Sequence, residues 1–273
     1  MSTPTTGRLT RITRELKAAG TRPLVPFLTA GFPDESTFGA LLAVVASAGC
    51  PLVEIGIPFS DPVADGPVIQ MSSQQALGQG MTLTRTLELA AGAANDHGLG
   101  VVLMGYLNPI LKFGPDRFAA ACGEAKVAGV IIPDLPPEEA SGIRSLLAVD
   151  GTDLVDLVAP TTDPARLARN VPLAGGFLYL VSTTGVTGVA ADNDTLPAYV
   201  ARVRALTDLP LYVGFGLAEP GQAARVAAVA DGAIVGSALI RVISEAGDNA
   251  VAAAATYLGR MVRAMQSVKG SPS

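Results

Sequence analysis

The chain is predicted to fold as a (β/α)8 barrel, on three observations. Eight short apolar runs each read as a buried strand, and each is followed by a helix-length segment. Continuous apolar strands alternating with helices imply a parallel sheet covered on both faces. Eight such units filling about 250 residues have the size and rhythm of this barrel. A doubly wound open sheet is the rival. It would want a Gly-x-Gly-x-x-Gly turn after its first strand, and LTAGFPD at 28–34 is not one.

The elements follow in order. Residues 8 to 19, with Leu9, Ile12 and Leu16 on one side, predict an extra amphipathic helix before the barrel begins. LVPFL at 24–28 is the first strand. Asp34 is a good N-cap for a helix whose Phe38, Leu41, Leu42 and Val45 share a face. LVEIG at 52–56 is the second strand, and a helix from Thr82 leads to the third, GVVLM at 100–104. Gly114-Pro115 opens the next helix, and VAGVIIP holds a strand near 128–132. Pro136-Pro137 is read as opening a helix through Ile143 and Leu147, before a strand near 153–160. Asp163-Pro164 caps another helix, followed by FLYLV at 177–181. A helix through Leu196, Tyr199 and Val203 precedes LYVGFG at 211–216. Glu219-Pro220 starts a helix before GAIVG at 232–236. A final helical stretch runs from about Ser237 to Gln266, broken near Gly247-Asp248-Asn249. One barrel domain is expected over 1–273, with a short disordered tail from about 267.

Composition narrows the function. At 49% hydrophobic and 16% charged, the chain is too apolar for disorder and can bury a large core. A net charge of −5 argues against non-specific nucleic-acid binding. The start, MSTPTTGRLTRITREL, has no apolar core of a secretory signal, and no run is long enough to span a membrane. A cytoplasmic location is expected. Cys50 and Cys122 do not make a disulfide framework. His97 is the single histidine, so no histidine-rich metal site and no Ser-His-Asp triad can be built. No metal is expected.

The stretch LVEIGIPFSDPVADGP at 52–67 stands out. Glu54 lies within an apolar strand, where a carboxylate is costly unless paired or used. Eleven residues later Asp65 sits on a loop stiffened by Pro58, Pro62 and Pro67. Two acids in different environments suit proton transfer. Glu54 lies on the second strand towards the end where barrels carry their chemistry, which favours function over a purely structural carboxylate. For Asp65 two readings stand: a site acid, or the N-cap of a following helix. Asp61, before Pro62, reads as a turn former. Phe27 and Tyr179 lie at strand ends, where they either pack on a flat aromatic substrate or fill a core layer.

The last three strand ends carry GVTG (185–188), GFG (214–216) and GS (236–237), small residues on successive loops. Free backbone N–H groups and a helix N-terminus there would hold a phosphate, as barrels often do. The alternative is that the glycines merely fit tight turns. Lys17, Lys112, Lys126 and Lys269 are the lysines, and none ends a predicted strand. A Schiff-base aldolase therefore lacks its nucleophile. Carbon–carbon cleavage by carboxylates alone needs a leaving group that accepts electrons once protonated.

These motifs resemble the tryptophan synthase α-subunit family. LVEIGIPFSDPVADGPVIQ (52–70) carries the resemblance, with PFLTAGFP (26–33), MGYLNPI (104–110), GVIIPDLPPEE (129–139), STTGVTG (182–188), VGFG (213–216) and GAIVGSA (232–238) similar in order and spacing. The resemblance covers roughly residues 8 to 266. It implies a ribulose-phosphate-binding type of barrel that cleaves indole-3-glycerol phosphate to indole and glyceraldehyde 3-phosphate. No cofactor is implied in this chain, pyridoxal phosphate belonging to a β partner in an α2β2 complex. It implies that Glu54 is the acid–base glutamate and that Asp65 accepts the indole N–H. Phe27, Tyr106, Tyr179, Thr187, Phe215 and Ile234 match residues around the substrate, Thr187 lying in a loop that closes over it. Gly188, Gly216, Gly236 and Ser237 match a phosphate cradle. Pro58, Asp61, Asn108 and Pro109 match partner-facing surface. Thr183 departs from the arginine that some relatives carry. The alternatives are a lyase that works without a β partner and a non-catalytic regulatory α-like subunit.

Overall fold

A computed structural model describes residues 6–181, 196–214 and 216–268. Helix α1 (Arg8–Ala18) precedes the barrel, as expected. Strand β1 (Leu24–Thr29) is buried throughout and leads to α2 (Glu35–Ser47). Asp34 caps α2, its carboxylate accepting the Thr37 N–H at 2.9 Å. Strand β2 (Leu52–Gly56) is followed by two helices, α3 (Pro67–Gly78) and α4 (Leu83–His97). Strand β3 (Gly100–Met104) is likewise followed by α5 (Leu107–Phe113) and α6 (Pro115–Glu124). Then come β4 (Gly129–Ile131), α7 (Ser141–Val149), β5 (Asp153–Val158) and α8 (Pro164–Asn170). Strand β6 (Leu178–Val181), α9 (Leu196–Arg204), β7 (Leu211–Gly214), α10 (Pro220–Val229) and β8 (Gly232–Val235) continue the alternation. The expected break divides the last stretch into α11 (Ser237–Ala246) and α12 (Ala250–Gln266).

All eight strands pair in parallel and in chain order, and β8 closes onto β1. Side chains alternate along each strand, so the barrel has two apolar layers. Val25, Leu52, Val102, Val155, Phe177, Tyr212 and Ile234 point inward and pack as one cluster. The Phe177 and Tyr212 rings stack within it, 4.4 Å between centroids. The larger outer cluster lies between strands and helices.

Helix α1 plugs the end of the barrel away from the strand C-termini. Leu9 enters the inner cluster and is fully buried. A Cβ at Gly129 or Gly176 would stand 2.5 Å from the Leu9 side chain, so glycine makes room for the plug at both places. Polar ties fix the helix. The Asp153 carboxylate accepts the Thr10 N–H at 2.8 Å, and the Thr10 hydroxyl accepts the Gly176 N–H at 2.7 Å. The Thr13 hydroxyl donates to the Gly176 carbonyl at 2.7 Å.

Three expectations need correction. Residues 67–78 are helical, although a helix there enters the sequence reading only as one of the two roles open to Asp65. Its buried positions, Ile69, Ser72, Ser73 and Ala76, have helical spacing, but three are small or polar, so hydropathy does not reveal them. Residues 107–113 are also helical. Pro109 lies within the first turn, where a missing N–H costs little. The helix after β4 starts at Ser141 rather than at the proline pair. Pro136 and Pro137 instead close single turns, accepting from the Glu139 and Ala140 N–H groups.

Cys50 and Cys122 are buried and unbonded. His97 ends α4, where Gly98 takes the left-handed conformation at φ +66. Among the described residues no helix is long and apolar enough to cross a membrane.

Candidate active site

Glu54 sits in the middle of β2, between Phe27 of β1 and Val102 of β3 in register, and is 1% exposed. Its Oε2 has no hydrogen-bond partner among the described residues. A buried carboxyl without a partner favours its neutral form. Burial pushes the Glu54 pKa up to about 8, and the charge of Asp65 adds to the rise.

Asp65 reaches the same place from the loop after β2. It does not cap α3: the N-cap is Gly66, and no side-chain capping bond is made there. The capping reading is therefore set aside. Burial raises the Asp65 pKa to about 6, while a hydrogen bond from the Tyr106 hydroxyl opposes the rise. Tyr106 is held in turn. Its oxygen accepts the Ala64 N–H at 3.0 Å, and its ring lies 5.5 Å from Phe59. The Tyr106 hydrogen is thus free for Asp65 while its oxygen anchors the loop.

The pair titrates in order. Asp65 ionises first, while Glu54 is still neutral and exerts no charge on it. Glu54 then titrates against the Asp65 anion. Near pH 7 the site holds one carboxylic acid and one carboxylate.

Aromatic side chains border the acids. The Phe27 ring lies over Gly56, where a Cβ would stand 2.5 Å from it, and beside Gly236. Tyr179 feels the charges of both Glu54 and Asp65, and burial drives its pKa well up. Gly214 faces the Tyr179 ring, and a Cβ there would collide with ring and hydroxyl. The GFG motif therefore has two kinds of glycine. Gly214 makes room for Tyr179. Gly216, at φ +28, has open space on its Cβ side among the described residues. Ile234 is buried in the inner cluster, in register with Gly214.

Gly216 and Gly236 each lie two residues past the paired positions Gly214 and Ile234. Their loops therefore stand side by side. Gly236 is the N-cap of α11, Ser237 its first residue, and no acidic side chain occupies that first turn. Such a helix start favours an anion.

Thr187, Gly188, Phe215 and the variant position Thr183 lie outside the described residues. Among the expected partner-facing positions, Asp61 and Asn108 are exposed and Pro109 is half-buried, but Pro58 is buried. Pro58 therefore shapes the loop from within and does not form its outer face. Asp134, for which the sequence leaves open a helix cap, the site or a partner, accepts the Leu107 N–H at 2.9 Å and so steadies the start of α5. Sequence reading missed the α3 side chains that brace the Asp65 loop. Gln70 donates to the Asp65 carbonyl at 2.8 Å and Gln74 to the Ser60 carbonyl at 3.3 Å. Their four-residue spacing was the available signal.

Fold and site together define a (β/α)8 barrel enzyme with paired carboxylates at the strand C-terminal mouth. The family model described as tryptophan synthase alpha chain matches residues 13–268. A tryptophan synthase alpha chain from Geobacter sp. (strain M21) is 47% identical over 227 residues, covering 83% of this chain and 85% of that protein. One from Gluconacetobacter diazotrophicus is 44% identical over 263 residues, covering 96% of each. The crystal structure of tryptophan synthase subunit alpha from Legionella pneumophila superposes with a TM-score of 0.87 at 37% identity, covering 95% of this chain and 98% of that one. A chain in a structure of Mycobacterium tuberculosis tryptophan synthase gives 0.87 at 35% identity, with the same coverage. The chain belongs to the tryptophan synthase alpha chain family. It is a lyase of tryptophan biosynthesis, carrying the α reaction.

Proposed function

We propose that Glu54 and Asp65 divide the acid–base work of the α reaction, the cleavage of indole-3-glycerol phosphate to indole and glyceraldehyde 3-phosphate. The observation that carries this is the placement of the pair: Glu54 is 1% exposed with no hydrogen-bond partner for its Oε2 among the described residues, and Asp65, held by the Tyr106 hydroxyl, lies near enough for its charge to act on Glu54. Neutral Glu54 gives its proton to the indole carbon that bears the glycerol chain. The ring becomes cationic, and the positive charge is shared by its nitrogen. Ionised Asp65 accepts the hydrogen bond of that N–H and stabilises the charge. The carbon–carbon bond then breaks, and its electron pair restores the aromatic ring. The adjacent hydroxyl becomes the aldehyde, and its proton passes to the Glu54 carboxylate. One proton leaves Glu54 and one returns, so the acid is regenerated.

Phe27, Tyr106, Tyr179, Phe215 and Ile234 would surround the indole, with Thr187 on the covering loop. Gly188, Gly216, Gly236 and Ser237 would hold the phosphate through backbone N–H groups. The chemistry asks for no cofactor in this chain. A β subunit carrying pyridoxal phosphate would take up the indole in an α2β2 complex, in the cytoplasm. The exposed Asp61, Asn108, Val63 and Leu111 mark the face for that partner, with Pro109 among them. The whole chain would act as one domain.

The test is indole formation from indole-3-glycerol phosphate by the wild type, Glu54→Gln and Asp65→Asn, with and without a β subunit. Loss of activity in both variants with folding intact is expected. Unchanged indole release by Glu54→Gln would overturn the assignment.

A further inference from the structure

Asp65 is followed two residues later by the first residue of α3, so whatever holds α3 also holds Asp65. The side of α3 that faces the barrel sets two serines, Ser72 and Ser73, among the apolar Ile69 and Ala76. Ser72 is fully buried, and its Oγ lies 2.6 Å from the Oγ1 of Thr29, itself 1% exposed. The Ser72 hydroxyl also donates to the Ile69 carbonyl at 2.9 Å. A carbonyl can only accept, so the Ser72 hydrogen is used there and Thr29 must be the donor in the pair. Thr29 is the last residue of β1 and pairs with Gly56, two residues beyond Glu54. The two hydroxyls therefore join β1, the neighbour in register of the strand that carries Glu54, to the helix that follows Asp65.

Further bonds make α3 a frame between two loops. Gln70 and Gln74 hold the Asp65 loop from outside. Gln75 and Gln79 both donate to the Pro33 carbonyl, at 3.0 and 2.8 Å, and tie α3 to the loop after β1. Packing alone does not ask for hydroxyls at 29 and 72, since valine and alanine would fill similar space. Directional bonds fix a distance where apolar contact allows sliding.

We propose that Thr29 and Ser72 are positioning residues, whose buried hydroxyl pair, with Gln70 outside, sets where Asp65 stands against Glu54. The proposal rests on Glu54 and Asp65 being the acid–base pair. Neither hydroxyl touches substrate; both act through α3 on Asp65.

The experiment compares Ser72→Ala, Thr29→Val and Thr29→Ser in the full chain with its β subunit. Small misplacement of a reacting group is costly, so the first two are expected to lower kcat about tenfold with KM little changed. Thr29→Ser keeps the donor and is expected to restore kcat. A second readout separates positioning from general loosening. With Asp65 further away, the falling limb of the kcat/KM profile, set by Glu54, moves to lower pH. Folded Ser72→Ala with wild-type kcat and an unmoved limb would overturn the proposal. So would a loss that tracks only the folded fraction. Should the buried variants fail to fold, exposed Gln70→Ala decides, and wild-type kcat there also overturns it. Glu54→Gln and Asp65→Asn are run alongside. Their retaining activity would sink the acid–base reading itself, whatever the positioning variants do.

Discussion

Glu54 is buried beside Asp65, and burial, with the Asp65 charge adding to it, favours the protonated Glu54 carboxyl. The two carboxyls meet at the mouth of the barrel, one from the middle of β2 and one from the loop beyond it, and the Asp65 charge adds to burial in raising the Glu54 pKa to about 8. With Asp65 itself at about 6, the window between them is where the site has its acid and its anion together.

The first prediction is the pH profile. We expect kcat/KM for indole release to be bell-shaped, rising as Asp65 ionises near 6 and falling as Glu54 loses its proton near 8. A substrate phosphate also ionises near pH ~6, so the falling limb is the one to read. In Asp65→Asn the residual activity should show that limb at lower pH, because the charge that raised Glu54 is gone. A limb that stays in place would mean the two acids do not interact.

The second concerns stability against pH. The Glu54 carboxyl has a folded pKa of about 8, above its ordinary 4.5. The folded state therefore binds more protons than the unfolded state between these values. The stability this group contributes is present below 4.5 and is lost as pH rises through 8. Glu54→Gln should remove that loss, so its Tm should exceed that of the wild type at pH 9 by more than at pH 5. Differential scanning calorimetry at the two values checks it.

The third concerns Gly214. A methyl there meets the Tyr179 ring. Gly214→Ala should cost about 1–3 kcal/mol as overpacking and raise KM by displacing Tyr179. Urea unfolding with steady-state kinetics reads both. A well-folded variant with unchanged KM would show that Tyr179 need not stand where it does.

The fourth lies in the outer layer. Asp156 of β5 is 6% exposed and faces Arg144 of α7, whose Nη2 donates to its two oxygens at 2.8 and 3.1 Å. Removing one partner of a buried pair leaves the other uncompensated. Arg144→Met should cost about 3–5 kcal/mol in urea unfolding. The double variant Arg144→Met/Asp156→Leu should recover much of this, and kcat should be unaffected. No recovery in the double variant would mean that Arg144 acts through its bond to the Leu154 carbonyl instead, at 3.1 Å.

Much of this protein was legible from one dimension. Apart from β5, whose DLVDLV holds two aspartates, the strands are apolar at nearly every position, because a barrel strand is buried on both faces, and such a run needs no neighbour to be recognised. The helix caps at Asp34, Thr82 and Asp163 were local too: each accepts an N–H three residues ahead. Glu54 announced itself as a lone charge in an apolar run, and the absence of a usable histidine or lysine left the carboxylates as the candidates for the chemistry.

Tertiary structure alone decided the rest. Helices α3 and α5 escape the hydropathy pattern because their buried stripes are short or built from serine and alanine, which gain their burial from what packs on them. Whether Asp65 caps a helix or faces Glu54 turns on the path of a loop held by Tyr106 and Gln70, which both bond Asp65, one of them from far along the chain. Pro58 looked exposed and is buried, and of the two glycines in GFG one serves Tyr179 and one stands open among the described residues. Pattern and hydropathy record what each residue prefers. Proton affinity, loop placement and room for a side chain depend on distances between residues the chain keeps apart, and only the closed barrel sets those distances.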